Sequence, residues 1–417
     1  MTSRLTLLAV SLLAAACATA RPASEGSVAA AWVELGPGGG ALARVITEAA
    51  ACPGLTVDGA TRPMQVRAAS DGGSFPVTVC EAPLPAGARS AGVAGQALAV
   101  PAPAPRRILV IGDTGCRMKA PSDFQACNDP AAWPFARVAA RAAAWRPELV
   151  IHLGDFHYRE SPCPAGNAGC AGNPAGDTWP SWRADLFAPA APLLRAAPWV
   201  MIRGNHETCS RAGEGWSRFL EPGPRPASCT DNTGPYVVPL GAVVLAVVDS
   251  SSASDDSAPP ADVARYTAQL DQLATMTPPY TWLVTHRPVW GVVGFDGQIA
   301  TGNQTLQAAM RGRLPAALTL LLAGHIHLFE GLAFEPRRPP MLLVGNGGTA
   351  LDAPLAQPLV GMTIDGATVT TGKTLASFGY ATLEPSSGND WQARVHDVDG
   401  RVVAECLVGR GTMTCSP

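Results

Sequence analysis

The chain is short of lysine. Only Lys119 and Lys373 occur in 417 residues, so nearly all its basic charge is arginine, a bias we attribute to coding rather than to function. Charged residues make up 15% and the formal net charge is −3, which gives no sign of a basic nucleic-acid surface. No apolar run approaches the eighteen or so residues a membrane-spanning helix requires. None of the 11 cysteines stands in a CxxC pair, which removes the usual zinc cluster. What remains is a globular composition, 47% apolar, long enough for one large domain and a smaller one.

The first twenty residues read as an export signal: Arg4, then the apolar Leu5 to Ala16, then small residues. Two cleavage routes are open. Ala18-Thr19-Ala20 suits an ordinary signal peptidase, and Ala14-Ala15-Ala16-Cys17 resembles a lipoprotein box that would leave a lipid on Cys17. Either route places the protein in the periplasm or outside the cell, with Cys17 as its only tie to a membrane. Removing or lipidating Cys17 leaves ten cysteines, an even number for an oxidising compartment. They fall as near neighbours: Cys52 and Cys80, Cys116 and Cys127, Cys163 and Cys170, Cys209 and Cys229, Cys406 and Cys415. We expect local loop staples.

Residues 21–100 hold short apolar runs, such as Phe75 to Val79, without helical periodicity, and predict a small β-sandwich-like domain. The alternating prolines at 101–105 read as a stiff linker. From 106 to 417 the pattern becomes α/β. Apolar runs at Arg107 to Gly112, Leu149 to Gly154 and Trp199 to Gly204 predict buried strands. They alternate with helical stretches at Trp133 to Trp145 and Ser181 to Ala196. Further strands are expected at Ala242 to Val248, Thr281 to Thr285, Leu318 to Leu322 and Met341 to Val344. Helices are expected at Ala261 to Met276 and Gln304 to Arg311. The tail from Tyr380 to Val408 alternates like antiparallel strands turning at Asp399-Gly400.

Ligands of open α/β sheets bind beyond the carboxyl ends of the strands. Here each of five strands runs into a metal-capable residue: Asp113, Asp155, Asn205 with His206, His286, and His325 with His327. Four of only seven histidines stand in this position. Imidazoles mixed with oxygen donors suit transition ions, and seven or eight donors exceed what one ion holds.

The blocks Gly112-Asp113-Thr114-Gly115, Gly154-Asp155-Phe156-His157-Tyr158, Gly204-Asn205-His206-Glu207, Leu283-Val284-Thr285-His286 and Gly324-His325-Ile326-His327 resemble, in order, the signatures of the calcineurin-like metallophosphoesterase superfamily. Tyr158 makes the resemblance one to the purple acid phosphatases. So does the run His286-Arg287-Pro288-Val289-Trp290, similar to their smaller, tartrate-resistant type. The resemblance implies an α/β fold: a four-layer αββα sandwich of two mixed sheets flanked by helices, preceded here by a small all-β domain. It implies two metal ions, one on Asp113, Asp155, Tyr158 and His327, the other on Asp155, Asn205, His286 and His325. Three anionic donors favour Fe(III) at the tyrosine; the more neutral second set suits Fe(II), Zn or Mn. The implied reaction is hydrolysis of small-molecule phosphate monoesters by a metal-bound hydroxide held by Asp155 and its partners. His206 acts as general acid or, alternatively, as an electrostatic clamp. Diester or nucleotide hydrolysis uses the same core, and a non-catalytic envelope binding protein is a third reading.

Other residues carry weaker expectations. Arg117 and Lys119 are candidates for holding phosphate, or simply solvated. Glu207 is a candidate to orient His206, and His157 to face the pocket. His152 and Trp290 read as structural, His396 as surface, and Asn303-Gln304-Thr305 as a glycosylation sequon. Oligomeric state is not encoded in any feature of the sequence.

Overall fold

A computed structural model describes residues 27–295, 298–353 and 355–416. The proposed export signal and Cys17 lie outside the described residues.

Two large sheets pack face to face. The first has eleven strands, in the order Thr412–Cys415, Val402–Gly409, Trp391–Asp397, Gly379–Pro385, Ile108–Ile111, Leu149–His152, Trp199–Met201, Val28–Leu35, Ala41–Thr47, Thr78–Leu84 and Gln65–Ala68. The second has eight: Tyr236–Pro239, Val244–Val247, Thr281–Val284, Leu318–Ala323, Met341–Val344, Phe329–Glu335, Ala367–Leu375 and Thr363–Ile364. At the centre of each sheet the strands run parallel, and the flanks are antiparallel. Parallel strands buried on both faces need continuous apolar runs, which is why Ile108–Ile111 and Leu318–Ala323 read as they do.

Strand alternation assigns each side chain to a layer. Ile108, Val110, Val284 and Leu322 meet between the sheets. Leu109, Ile111 and Val150 face outward against the helices Phe135–Ala144 and Ala191–Ala196. On the far side, Leu283 and Leu321 pack against Pro260–Ala274 and Gln304–Met310. The result is the expected four-layer αββα sandwich with an N-terminal β region.

That N-terminal region is continuous with the first sheet, because Glu34 registers in parallel with Trp199. Trp32 packs into the outer helical layer, whereas Val33 and Val45 form a local core with Leu55, Val57 and Val93. Arg44, fully buried, ties the junction: it pairs with Glu34 at 2.7 Å and donates to the carbonyls of Phe219 and Glu221.

The predicted strands and the two later helices form. The stretch from Ser181 to Ala196 is not one regular helix: a short turn at Trp179–Trp182 runs directly into a wide turn at Arg183–Phe187, and Pro189, which has no N–H to donate, precedes the helix Ala191–Ala196. The five local cysteine pairs are all disulfides. His396 is not at the surface; it stacks on Tyr380 and bonds Thr382 Oγ1 at 2.9 Å. The sequon is closed as well. Asn303 is fully buried, with its amide donating to Asp255 and the Ala253 carbonyl while its oxygen caps the helix that follows.

Candidate metal centre

The carboxyl ends of the parallel strands of both sheets converge on one crevice, and the residues predicted from the five blocks meet there. Asp113 and Asp155 follow Ile108–Ile111 and Leu149–His152 with φ of 56° at both, and His325 follows Leu318–Ala323 with φ of 74°. Left-handed backbone is costly for residues other than glycine, so the surrounding structure holds these three in place. Two glycines permit the approach. A Cβ on Gly154 would lie 2.6 Å from His286 Nδ1, and one on Gly204 would lie 2.1 Å from Asp155 Oδ1.

Tyr158 Oη lies 3.1 Å from Asp113 Oδ1, 2.8 Å from Asp155 Oδ2 and 2.8 Å from His327 Nε2. One hydroxyl proton cannot serve three acceptors. Beside this cluster, His286 Nε2 stands 3.0 Å from Asn205 Oδ1 and 3.2 Å from Asp155 Oδ2. One donor atom each from Asp155, His286 and His325 lie within 4.8 Å of one another. Asp155 is thus common to both groups.

The tautomers sharpen this picture. His286 Nδ1 donates to the Leu153 carbonyl at 2.7 Å, and His327 Nδ1 to the Ala350 carbonyl at 2.9 Å. A carbonyl only accepts, so in the neutral rings each Nε2 turns a lone pair toward other acceptors. Lone pairs facing lone pairs fit a cation between them, oriented as metal-binding imidazoles usually are. The electrostatics agree. Burial would lower the His286 pKa, yet Asp155 and Asp113 raise it to about 9, so the crevice draws in positive charge. Burial and the same carboxylates hold the Tyr158 phenol well above its usual range, a penalty a cation would offset. The donor set therefore fits two metal ions.

A family model described as calcineurin-like phosphoesterase matches residues 106–329. The chain belongs to that family. It is a metal-dependent phosphoester hydrolase, whose fold implies a dinuclear metal site. Among solved structures, the chain resembles the purple acid phosphatase PPD1 from yellow lupin (Lupinus luteus) seeds. The TM-score is 0.58 at 13% identity, covering 91% of this chain and 74% of that one. It also resembles a PhoD structure, with a TM-score of 0.58 at 10% identity over 96% and 94% of the two chains. These likenesses concern the fold. No curated protein sequence matches the chain significantly.

Around the centre, this phosphoesterase uses further residues, and Glu207 in a role other than the expected one. Glu207 does not touch His206. Its carboxylate accepts the backbone N–H groups of Asp155, Phe156, His157 and Gly204 at 2.8–3.1 Å, buckling two site loops together. The partner of His206 is Glu160, whose Oε1 lies 2.7 Å from Nδ1; Arg211 pairs with Glu160 and packs on the same ring. Burial, with Arg211, pulls the His206 pKa down to about 3 against Asp155 and Glu160. His325 Nε2 reaches Asp255 at 3.1 Å, and Arg287 also pairs with Asp255. Asp352 fixes the His327 backbone N–H at 2.8 Å.

Other expectations resolve plainly. His157 points away from the crevice, toward the Gly176 carbonyl and Trp182. His152 is buried against Phe156 and bonds Thr114, and Trp290 packs on Phe334. Arg117 stands at the site, 5.4 Å from the Tyr158 ring centre, while Lys119 is exposed.

Proposed function

We propose that the protein hydrolyses phosphate monoesters at a dinuclear centre of the purple acid phosphatase type. Asp113, Asp155, Tyr158 and His327 hold one ion, Fe(III). Asp155, Asn205, His286 and His325 hold the other, which is Fe(II), Zn or Mn. The observation that carries this reading is the single phenol oxygen of Tyr158 set within 3.1 Å of three acceptors, one of them the shared Asp155. The bound ions would supply an activated water and neutralise phosphoryl charge.

The chain's own residues do the rest. Asp155 holds its place through the His206 N–H at 2.9 Å, which also positions the His206 backbone. His206 is placed to deliver a proton to the leaving alkoxide, with Glu160 and Asp155 opposing the burial and the Arg211 charge that disfavour its imidazolium. No side chain serves as a covalent nucleophile. The exported location proposed for the chain is supported by its five disulfides, which belong in an oxidising compartment.

Metal analysis with a visible absorption spectrum tests the centre. We expect iron and a broad band that disappears in Tyr158→Phe; two divalent ions and no band would remove the Tyr158–Fe(III) assignment. His206→Ala should lower kcat about 10²–10⁴-fold with metal content intact. Unchanged turnover would take His206 out of the mechanism.

A further inference from the structure

We propose that Arg117 and Arg211 form an anion-recognition site for the leaving group. The preferred substrates are then phosphate esters whose alcohol part carries its own phosphate or carboxylate. The inference rests on the phosphoesterase reading with His206 on the leaving-group side.

The two arginines reach the crevice from different loops and flank one aromatic pair. The Tyr158 and His206 rings lie 3.7 Å apart. Arg117 stands 5.4 Å from the Tyr158 ring centre, and Arg211 packs on His206. Each guanidinium is fixed on one edge by a carboxylate: Arg117 Nη1 by Asp123 at 3.0 Å, Arg211 Nε by Glu160 at 2.6 Å. Both side chains remain about a quarter exposed, at 24% and 23%.

Their other edges lack proper acceptors. Arg117 Nη2 lies 3.2 Å from His327 Nδ1, but that nitrogen already donates to the Ala350 carbonyl, so two donors face each other. Arg117 Nε has no partner among the described residues either. Arg211 Nη2 shares Glu160 with Nε and packs 2.8 and 2.9 Å from both ring nitrogens of His206, so the poorly satisfied end of this guanidinium is Nη1. Beyond Glu160, the acceptor Arg211 finds is the Asn205 carbonyl, 3.4 Å from Nη1. A guanidinium held on one edge and unsatisfied on the other is preorganised for an incoming anion.

The reacting phosphoryl group does not account for both forks. It has three non-bridging oxygens, which the ions held by the carboxylate–imidazole centre, together with His206, would address. An arginine beside the proton donor lies along the departing alcohol instead. Asp123 and Glu160 each balance one arginine, so the pair contributes directed donors rather than net charge. Recognition then depends on the planar fork, and lysine cannot replace it.

The test is calorimetric titration of the metal-loaded protein with three ligands built on a three-carbon chain: propylphosphonate, 3-phosphonopropionate and propane-1,3-diphosphonate. We expect at least one of the latter two to bind tenfold or more tightly than propylphosphonate. A gain confined to 3-phosphonopropionate assigns the second group as carboxylate, and one confined to the diphosphonate assigns it as phosphate. The gain should shrink below twofold in Arg117→Gln/Arg211→Gln and in Arg117→Lys, the latter keeping the test open should the double variant fail to fold. Equal binding of all three ligands by a protein that hydrolyses p-nitrophenyl phosphate overturns the proposal and leaves the phosphoesterase reading intact. A protein that neither hydrolyses that ester nor binds any phosphonate overturns both.

Discussion

Replacing Glu207 with Ala should destabilise the protein more than replacing any surface carboxylate, because four buried backbone N–H groups share its two oxygens. Oε1 takes Phe156 at 2.8 Å and His157 at 3.1 Å; Oε2 takes Asp155 and Gly204, each at 3.0 Å. Burial and the Asp155 charge raise the Glu207 pKa to about 8 against these N–H groups, so each bond is counted at the neutral worth of ~0.5–1.5 kcal/mol, and an orphaned buried donor costs ~1–3 kcal/mol. Water entering the space left by the carboxyl recovers part of this. At ~1 kcal/mol per N–H the loss is about 4 kcal/mol, a large share of the ~5–15 kcal/mol that holds an ordinary domain. Glu207→Gln keeps one acceptor oxygen and turns an amide toward the other pair, so it should lose about half as much. The assay is urea unfolding of the chelated, oxidised protein followed by tryptophan fluorescence. A loss below ~1 kcal/mol for the alanine variant would mean that other groups hold the left-handed Asp155, and the buckle argument would fail.

Three further outcomes are expected. Burial raises the Glu330 carboxyl from 4.5 to about 8 against the pull of the Val292 N–H, and its other oxygen has no partner among the described residues. The folded form therefore keeps a proton that the unfolded form releases, so stability from this group is full below pH 4.5 and lost as pH rises toward 8. Glu330→Gln mimics the protonated acid; its urea midpoint should match wild type at pH 4 and exceed it at pH 8.5, by up to ~3–5 kcal/mol. A gap that does not change with pH would refute this. Arg44→Leu leaves Glu34 buried without its partner and should cost about 3–5 kcal/mol, part of which Glu34→Gln in the same chain restores. No recovery in the double variant would show that the Phe219 and Glu221 carbonyls, rather than Glu34, are what Arg44 serves. Asp255→Asn weakens the grip on His325 Nε2 and should lower affinity at the second metal position about 10–100-fold, read as metal retained after dialysis. Full retention would reduce Asp255 to a partner of Arg287 and Asn303.

The strands and their terminal residues were legible because a parallel strand buried on both faces must be largely apolar, so the metal-capable residues just beyond it stand out. Asp113, Asp155, Asn205, His286 and His325 share that position, and the structure gathers them in one crevice. The direction of a side chain just outside a strand was not legible. Glu207 turns back under two loops instead of toward the adjacent His206, and His157 turns away although both its neighbouring motif residues face inward. The sheet join at Glu34 was hidden for a related reason: a strand pattern states that one face is buried, not which distant strand lies beside it.

Asp255 is a different kind of omission, because the rule that found the others also covers it. Val244–Val247 is one of the parallel strands, paired with Thr281–Val284, and the loop beyond its carboxyl end carries Asp249, Asp255 and Asp256. The serine-rich composition of that loop resembles a solvated connection. Yet backbone bonds from Gln304 and Thr305, and the buried amide of Asn303, pin it against the helix Gln304–Met310 with Asp255 beside His325. Met341–Val344, the next parallel strand, likewise leads to Asp352 behind His327. Every central parallel strand thus delivers a group to the crevice, either to the donor cluster or to a residue that orients it. Topology selects the loops, and the chemistry of each loop decides which layer of the site it supplies.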